Sequence, residues 1–122
     1  MKKKKQIRKK FRDDTFERDN YKCRLCGEDF ASKEHPEYYL DAHHITDRSK
    51  MPNGGYVKEN GISLCKENLD EETGHLVESC HMKAERFHIS DGEDWLEGAH
   101  PDDLYKMIGS SYEEAVRASE KL

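Results

Sequence analysis

Two sets of residues in this chain have types and spacings that suit chemistry: the cysteines Cys23, Cys26, Cys65 and Cys80, and the histidines His43, His44 and His81. Cys23 and Cys26 form a Cys-x-x-Cys followed by Gly27, the sequence of a tight knuckle in which both sulfurs face one centre. Thirty-eight residues then lead to Cys65, and fourteen more to Cys80. Four thiolates are the donor set of a closed structural Zn²⁺ site, because soft sulfur suits that ion and a full tetrahedral shell leaves no position for substrate. His75 lies between Cys65 and Cys80 and is the alternative fourth ligand. Cys80 is preferred, since it begins a helical segment and would hold His81 in place. A redox role for Cys23 and Cys26 would call for a βαβ context, which the sequence does not offer.

The adjacent histidines of "LDAHHI" pose a different problem. On a strand they face opposite sides, so one ion is not expected to take both. A division of labour fits better: one imidazole holds a divalent ion while its neighbour, neutral and free, removes a proton from water. Phosphodiester hydrolysis needs both functions, a cation for the developing negative charge and a base for the nucleophile. His81 follows a zinc-ligating cysteine and would be held opposite the strand that carries His43. Glu85, four residues on, shares its helical face and can join the ion or accept a hydrogen bond from a ligand. Asn60, at the entry to the next apolar run, can orient His44. Each residue alone has a plainer reading, as a surface histidine, a turn or a zinc ligand. Their order among the cysteines points to one site.

The elements that must position these groups are short. Gln6 to Asn20 reads as a helix with Ile7 and Phe11 four apart, and Met1 to Lys5 as a disordered tip. "EYYLDAHHI" is rich in β-prone residues and reads as a strand. "MPNGGYVKENGISLC" holds two turn signals and the apolar run Ile62 to Leu64, which gives a β-hairpin with a long connection. "KENLDEETGHLVES" reads as an extended loop or short helix, and "CHMKAERFH" opens a helix. Two more helices are expected beyond, one from Pro101 to a stop at Gly109 and one opened by the capping box Ser111-x-x-Glu114. They are expected to pack on the module.

Composition sets the frame. The chain has 122 residues, of which 34% are hydrophobic and 39% charged, so apolar burial is limited and a metal staple is plausible. No apolar run approaches the roughly 20 residues of a membrane span, and no signal peptide is evident, so a soluble, unexported protein with no membrane partner is expected. Net charge is −5, yet residues 1–24 carry eleven Lys or Arg against four Asp or Glu, and the rest ten against 22. A basic arm on an acidic body suits phosphate binding, or else a solvated tail.

The blocks "RDNYKCRLCG", "LDAHHI", "GGYVKENGISLC" and "CHMKAE", in this order, resemble the HNH endonucleases, small nuclease modules of phage, restriction and homing enzymes. The resemblance runs from about Phe11 to His88. It implies an α+β fold: a small ββα-metal, treble-clef-like, zinc-stapled module with an N-terminal helix and a C-terminal helical extension. It implies His44 as general base, His43 and His81 as ligands of one catalytic Mg²⁺ or Mn²⁺, and Asn60 as the residue that positions the base and its loop. Asp41 and Glu85 are expected to support those ligands, and the cysteines match the family's structural zinc site. The products would be a 5′-phosphate and a 3′-hydroxyl. The family usually has Cys-x-x-Cys-His at its second knuckle, whereas fourteen residues part the cysteines here.

The organisation expected is a basic disordered arm over 1–10, a nuclease domain over 11–90 and an acidic helical extension over 91–122. Lys9, Lys10, Arg12, Arg18, Lys22 and Arg24 are the expected phosphate contacts on DNA, double-stranded by preference. Cutting both strands would need a homodimer, a larger phage or restriction assembly, or two successive nicks. The expected setting is the cytoplasm of a bacterial or phage-infected cell. The competing function is a non-catalytic zinc module that binds nucleic acid or protein.

Overall fold

Helix α1 spans Lys4–Arg18 in the computed structural model, which describes residues 4–66, 68–69, 72–74, 76–77 and 79–122. The helix expected from Gln6 thus begins two residues earlier and takes in residues 4–10 of the basic arm. Lys and Arg are good helix formers, and ion pairs at i,i+4 spacing, Lys9–Asp13 at 2.5 Å and Lys10–Asp14 at 2.6 Å, add local support. The helix buries Phe11, Thr15 and Phe16.

Strand β1, Leu40–His44, pairs antiparallel with β2, Gly61–Cys65, in a register that sets Leu40 against Cys65 and His44 against Gly61. The strand is shorter than "EYYLDAHHI" suggests, because Pro36–Tyr38 forms a 3₁₀ turn, for which proline fixes φ and gives up its N–H. The connection between β1 and β2 is built from 3₁₀ turns at Arg48–Lys50, Pro52–Gly55 and Lys58–Asn60. Beyond β2 the expected loop or helix is instead a small hairpin, with β3, Asn68–Leu69, paired to β4, Leu76–Val77.

Helix α2, Cys80–Ile89, begins at Ser79, whose hydroxyl accepts the Met82 N–H at 3.1 Å. Helix α3, Pro101–Met107, has proline in its first turn, and α4, Tyr112–Glu120, is capped by Ser111, which accepts the Glu114 N–H at 3.1 Å as the capping box foretells. Leu104, Tyr105 and Ala115 from these last helices lie in the same core as Phe16, Leu40, Ile62 and Leu64. No helix among the described residues is long and apolar enough to cross a membrane.

Two local features seat α1 on the sheet. Gly61 lies under the helix so closely that a Cβ there would stand 2.5 Å from Thr15 Oγ1 and 2.7 Å from Phe11 Cε1. Asp19, buried after the end of the helix, accepts both Nε and Nη2 of Arg18 at 2.8 Å, Nη1 of Arg24 at 2.9 Å and the Ser63 N–H at 2.9 Å. Arg18 also donates to the carbonyls of Lys58 at 2.6 Å and Gly61 at 2.7 Å, and Arg24 donates to that of Met107. One carboxylate therefore joins α1, the knuckle, β2 and, through Arg24, the end of α3. Removing the central carboxylate of such a network costs about 3–5 kcal/mol, because two part-buried guanidinium groups lose their counter-charge and the Ser63 N–H its acceptor. Urea unfolding should show a loss of that order for Asp19→Ala and less than about 0.5 kcal/mol for Asp13→Ala on the exposed helix face; equal losses would deny Asp19 this role.

Candidate metal centres and the histidine pair

The sulfurs of Cys23, Cys26, Cys65 and Cys80 all lie within 4.8 Å of one another. The knuckle supplies two, turning at Gly27 with φ +82°, where its N–H donates to the Cys23 carbonyl at 2.8 Å. The end of β2 supplies Cys65, and the first residue of α2 supplies Cys80. Cys26 Sγ and Cys65 Sγ stand 4.0 Å apart. A disulfide would hold them at about 2.05 Å, whereas a tetrahedron of about 2.3 Å zinc–sulfur bonds has edges of about 3.8 Å. Backbone N–H groups of Cys26 and Cys80 point at Cys23 Sγ and Cys65 Sγ, at 3.5 and 3.4 Å.

Burial pushes the Cys65 thiol up to about 11 and Cys80 higher still. Burial acts the same way on Cys23, but N–H groups from Cys26, Cys65 and Leu25 outweigh it and bring that thiol down. Cys65 and Cys80 thus resist ionisation unless a cation joins them, and the four donors suit a structural zinc ion. His75, the alternative ligand, lies outside the described residues.

A second cluster forms where α2 crosses β1. The pleat turns His43 inward and His44 to the other face, as strand geometry requires. His43 Nδ1 lies 3.1 Å from Glu85 Oε1, and the same oxygen is 3.4 Å from His81 Nε2. His81 Nδ1 is 3.2 Å from Asp41 Oδ2. His88 stacks on His43 with ring centroids 5.2 Å apart, and its Nε2 donates to the His44 carbonyl at 2.9 Å. A carbonyl only accepts, so neutral His88 keeps its lone pair on Nδ1. His43, Glu85 and His88 each present a ligand atom within 4.8 Å of the others.

The cluster therefore brings together four residues singled out from the sequence, Asp41, His43, His81 and Glu85, and adds His88, which was not. The signal for His88 was present: positions 81, 85 and 88 follow the four-and-three spacing of one helix face. Burial pulls His43 downward and keeps it neutral, the form that binds a metal. The two imidazoles hold Glu85 well below the usual carboxylate range. His43 Nδ1 is buried and makes no hydrogen bond of good geometry, since Glu85 Oε1 is near but not aligned. A divalent cation fits this donor set.

On the opposite face His44 lies between Phe11 and Tyr56, with ring centroids at 4.6 and 4.7 Å, the latter edge-on. Its Nε2 is buried without a hydrogen-bond partner. Burial first, then the closeness of the second imidazole, His43, which would carry the same charge, and of the Arg48 guanidinium, push its imidazole down to about 4.

The hydrogen bonds of the Asn60 amide go elsewhere than to His44. The amide donates to the carbonyls of Thr46 and Gly55 at 3.1 and 3.2 Å, and accepts the Thr46 N–H at 2.9 Å and the Tyr105 hydroxyl at 2.7 Å. It acts instead on the backbone two residues past His44, which is why an amide with both donors and an acceptor is needed. Tyr105, from α3, also bonds to Thr46 Oγ1 at 2.7 Å. A Cβ on Gly55, which has φ +68°, would meet Asn60 Nδ2 at 2.7 Å.

The expected phosphate contacts divide. Arg18 and Arg24 turn inward to Asp19 and backbone carbonyls, so they are structural; a buried carboxylate claimed them. Lys9, Lys10 and Arg12 are paired with Asp13 and Asp14, and Lys22 is exposed.

A two-stranded antiparallel sheet and flanking helices, gathered round a cysteine cluster and a His/Glu/His cluster, make this a small α+β module of the ββα-metal type. Residues 23–67 match the family model described as HNH endonuclease, a span that runs from the knuckle through both strands and includes His43, His44 and Asn60. No curated protein and no solved structure gives a significant match to the chain.

Metal analysis of the purified protein should find one tightly held zinc per chain, lost in Cys80→Ser and kept in His75→Ala; the reverse pattern would make His75 the ligand. Tyr105→Phe should lower stability by about 1–2 kcal/mol in urea unfolding, the cost of a lost buried hydrogen bond, with zinc retained.

Proposed function

We propose that the protein is a metal-dependent DNA endonuclease that hydrolyses phosphodiester bonds, with His44 as general base. The observation that carries this reading is the division across β1: on one face an imidazole whose buried Nε2 has no hydrogen-bond partner, and on the other a buried set of His43, Glu85 and His88 with His81 against the same carboxylate. His43 and His81 are the proposed ligands of one Mg²⁺ or Mn²⁺, with Glu85 between them and His88 completing the set. When bound, the ion supplies positive charge to the phosphate and to the leaving oxygen.

The chain's own groups do the rest. His44 is neutral at neutral pH and takes a proton from water at Nδ1, while Phe11 and Tyr56 hold its ring. An anionic phosphate beside it raises its affinity for that proton in the complex. Asn60 and Tyr105 fix Thr46 and hence the end of the strand that carries the base. The Asp41 carboxylate orients His81. The cysteine site holds the start of α2, and with it His81, Glu85 and His88, against β1. Residues 11–90 are the proposed nuclease unit. Double-stranded DNA is the proposed substrate, in the cytoplasm of a bacterial or infected cell, and two copies would cut both strands.

The test is plasmid relaxation by protein that retains zinc but has been freed of other ions, with Mg²⁺, Mn²⁺ or nothing restored. Nicked or linear product should require the ion and fall by about 10²-fold or more in His44→Ala. Product from His44→Ala at the parent's rate would remove the base assignment. No product with any ion would favour the non-catalytic zinc module.

A further inference from the structure

The basic side chains near the N-terminus were expected to contact phosphate as a group, but most of those described are already engaged. Lys9, Lys10 and Arg12 face Asp13 and Asp14, and Arg18 and Arg24 share Asp19. Arg8 and Arg48 differ: both are exposed, and among the described residues neither has a carboxylate within ion-pair distance.

They also converge. Arg8, on α1, places its guanidinium carbon 5.4 Å from the centre of the Tyr56 ring, and Arg48, on the turn after β1, donates from Nη1 to the Tyr56 hydroxyl at 3.3 Å. Forty residues apart in sequence, the two cations meet on one ring. That ring is the one set edge-on against His44, 4.7 Å away. It is also held from below, because Gly54, at φ +82°, brings the backbone so near that a Cβ there would stand 2.7 Å from Tyr56 Cε2.

A guanidinium stacked on an aromatic ring keeps its N–H edge free, and that edge matches the oxygens of a phosphate in pairs. Arg8 lies over the ring face in this way, and Arg48, whose Nη1 is taken by the Tyr56 hydroxyl, keeps its remaining N–H groups. Two cations on separate elements, neither held in an ion pair with a carboxylate among the described residues, favour an extended polyanion over a small one. We propose that Arg8 and Arg48, both held by Tyr56, bind successive phosphates of a DNA strand and lay its backbone against His44. What the strand undergoes there rests on the nuclease reading; its binding does not.

The experiment measures anisotropy of a fluorescein-labelled DNA duplex with zinc-loaded protein, without Mg²⁺ or Mn²⁺, over a salt series. Each phosphate contact contributes about −0.9 to the slope of log K against log salt. Arg8→Gln with Arg48→Gln should make the slope shallower by about two, and Arg8→Lys with Arg48→Lys should restore most of it, since lysine keeps the charge. An unchanged slope in the glutamine double variant, a loss that follows Lys9→Gln and Lys10→Gln instead, or no salt-dependent binding by the parent would each overturn the proposal. Binding that behaves as expected in a protein that never cleaves would sink the nuclease reading and leave this one standing. Cleavage that survives beside an unchanged slope would do the opposite.

Discussion

Thiolates within 4.8 Å of one another repel, and burial makes Cys65 and Cys80 give up their protons with difficulty, so the meeting of Cys23, Cys26, Cys65 and Cys80 makes sense around a cation. Much else depends on that meeting. It ties the knuckle to the last residue of β2 and to the first of α2, across the polar stretch between Cys65 and Cys80. Once Cys80 is held, the helix must start there, and its period of 3.6 residues presents His81, Glu85 and His88 to β1. A metal bond at its first residue would fix the helix more firmly than the small hydrophobic core does.

The second constraint is the pleat of β1. Successive side chains go to opposite faces, which gives two adjacent histidines two environments at no cost in chain length. His43 enters a carboxylate-lined, buried cluster, whereas His44 enters an aromatic slot under α1. Burial depresses both imidazoles, yet only His43 has an acidic neighbour, Glu85, in direct contact. The loop between β1 and β2 is then fastened by Asn60, and Asn60 by Tyr105, so the C-terminal helices act on the strand that carries the paired histidines. Ser110 Oγ donates to the Glu59 carbonyl at 2.9 Å, and Asn53 Nδ2 to that of Ser119 at 2.9 Å, which spreads the same attachment over α3 and α4.

Charge is sorted with similar economy. Asp19 is the buried carboxylate of the N-terminal region, and it takes the two arginines nearest to it in sequence. Asp13 and Asp14 sit one turn from Lys9 and Lys10 and screen them locally. Arg8 and Arg48, beyond reach of these acids, are left to aromatic and solvent contacts beside His44. Net charge therefore says little about where this protein meets phosphate; the pairing pattern says more.

Residue types and spacing alone determined a good deal: the Cys-x-x-Cys knuckle, the opposed faces of His43 and His44, the shared helical face of His81 and Glu85, and the capping box at Ser111. All are local, set by the periods of strand and helix and by the turn chemistry of a few residues, and they carry the resemblance to the HNH endonucleases without any knowledge of the fold. Tertiary structure decided the rest. Arg18 and Arg24 looked like free cations until a buried Asp19 claimed them, and Asn60 looked like a partner of His44 until its amide was found on Thr46, Gly55 and Tyr105. Lys4 and Lys5 looked like part of a disordered tip until the helix expected from Gln6 was found to extend back over them. His88 needed only one more step along the helix face, but Tyr56 and Tyr105 had no such signal. Tyr105 acts on Thr46 and Asn60, 59 and 45 residues away, and Tyr56 joins Arg8 and Phe11, 48 and 45 residues away, to His44 and Arg48; composition, periodicity and local spacing do not encode such contacts.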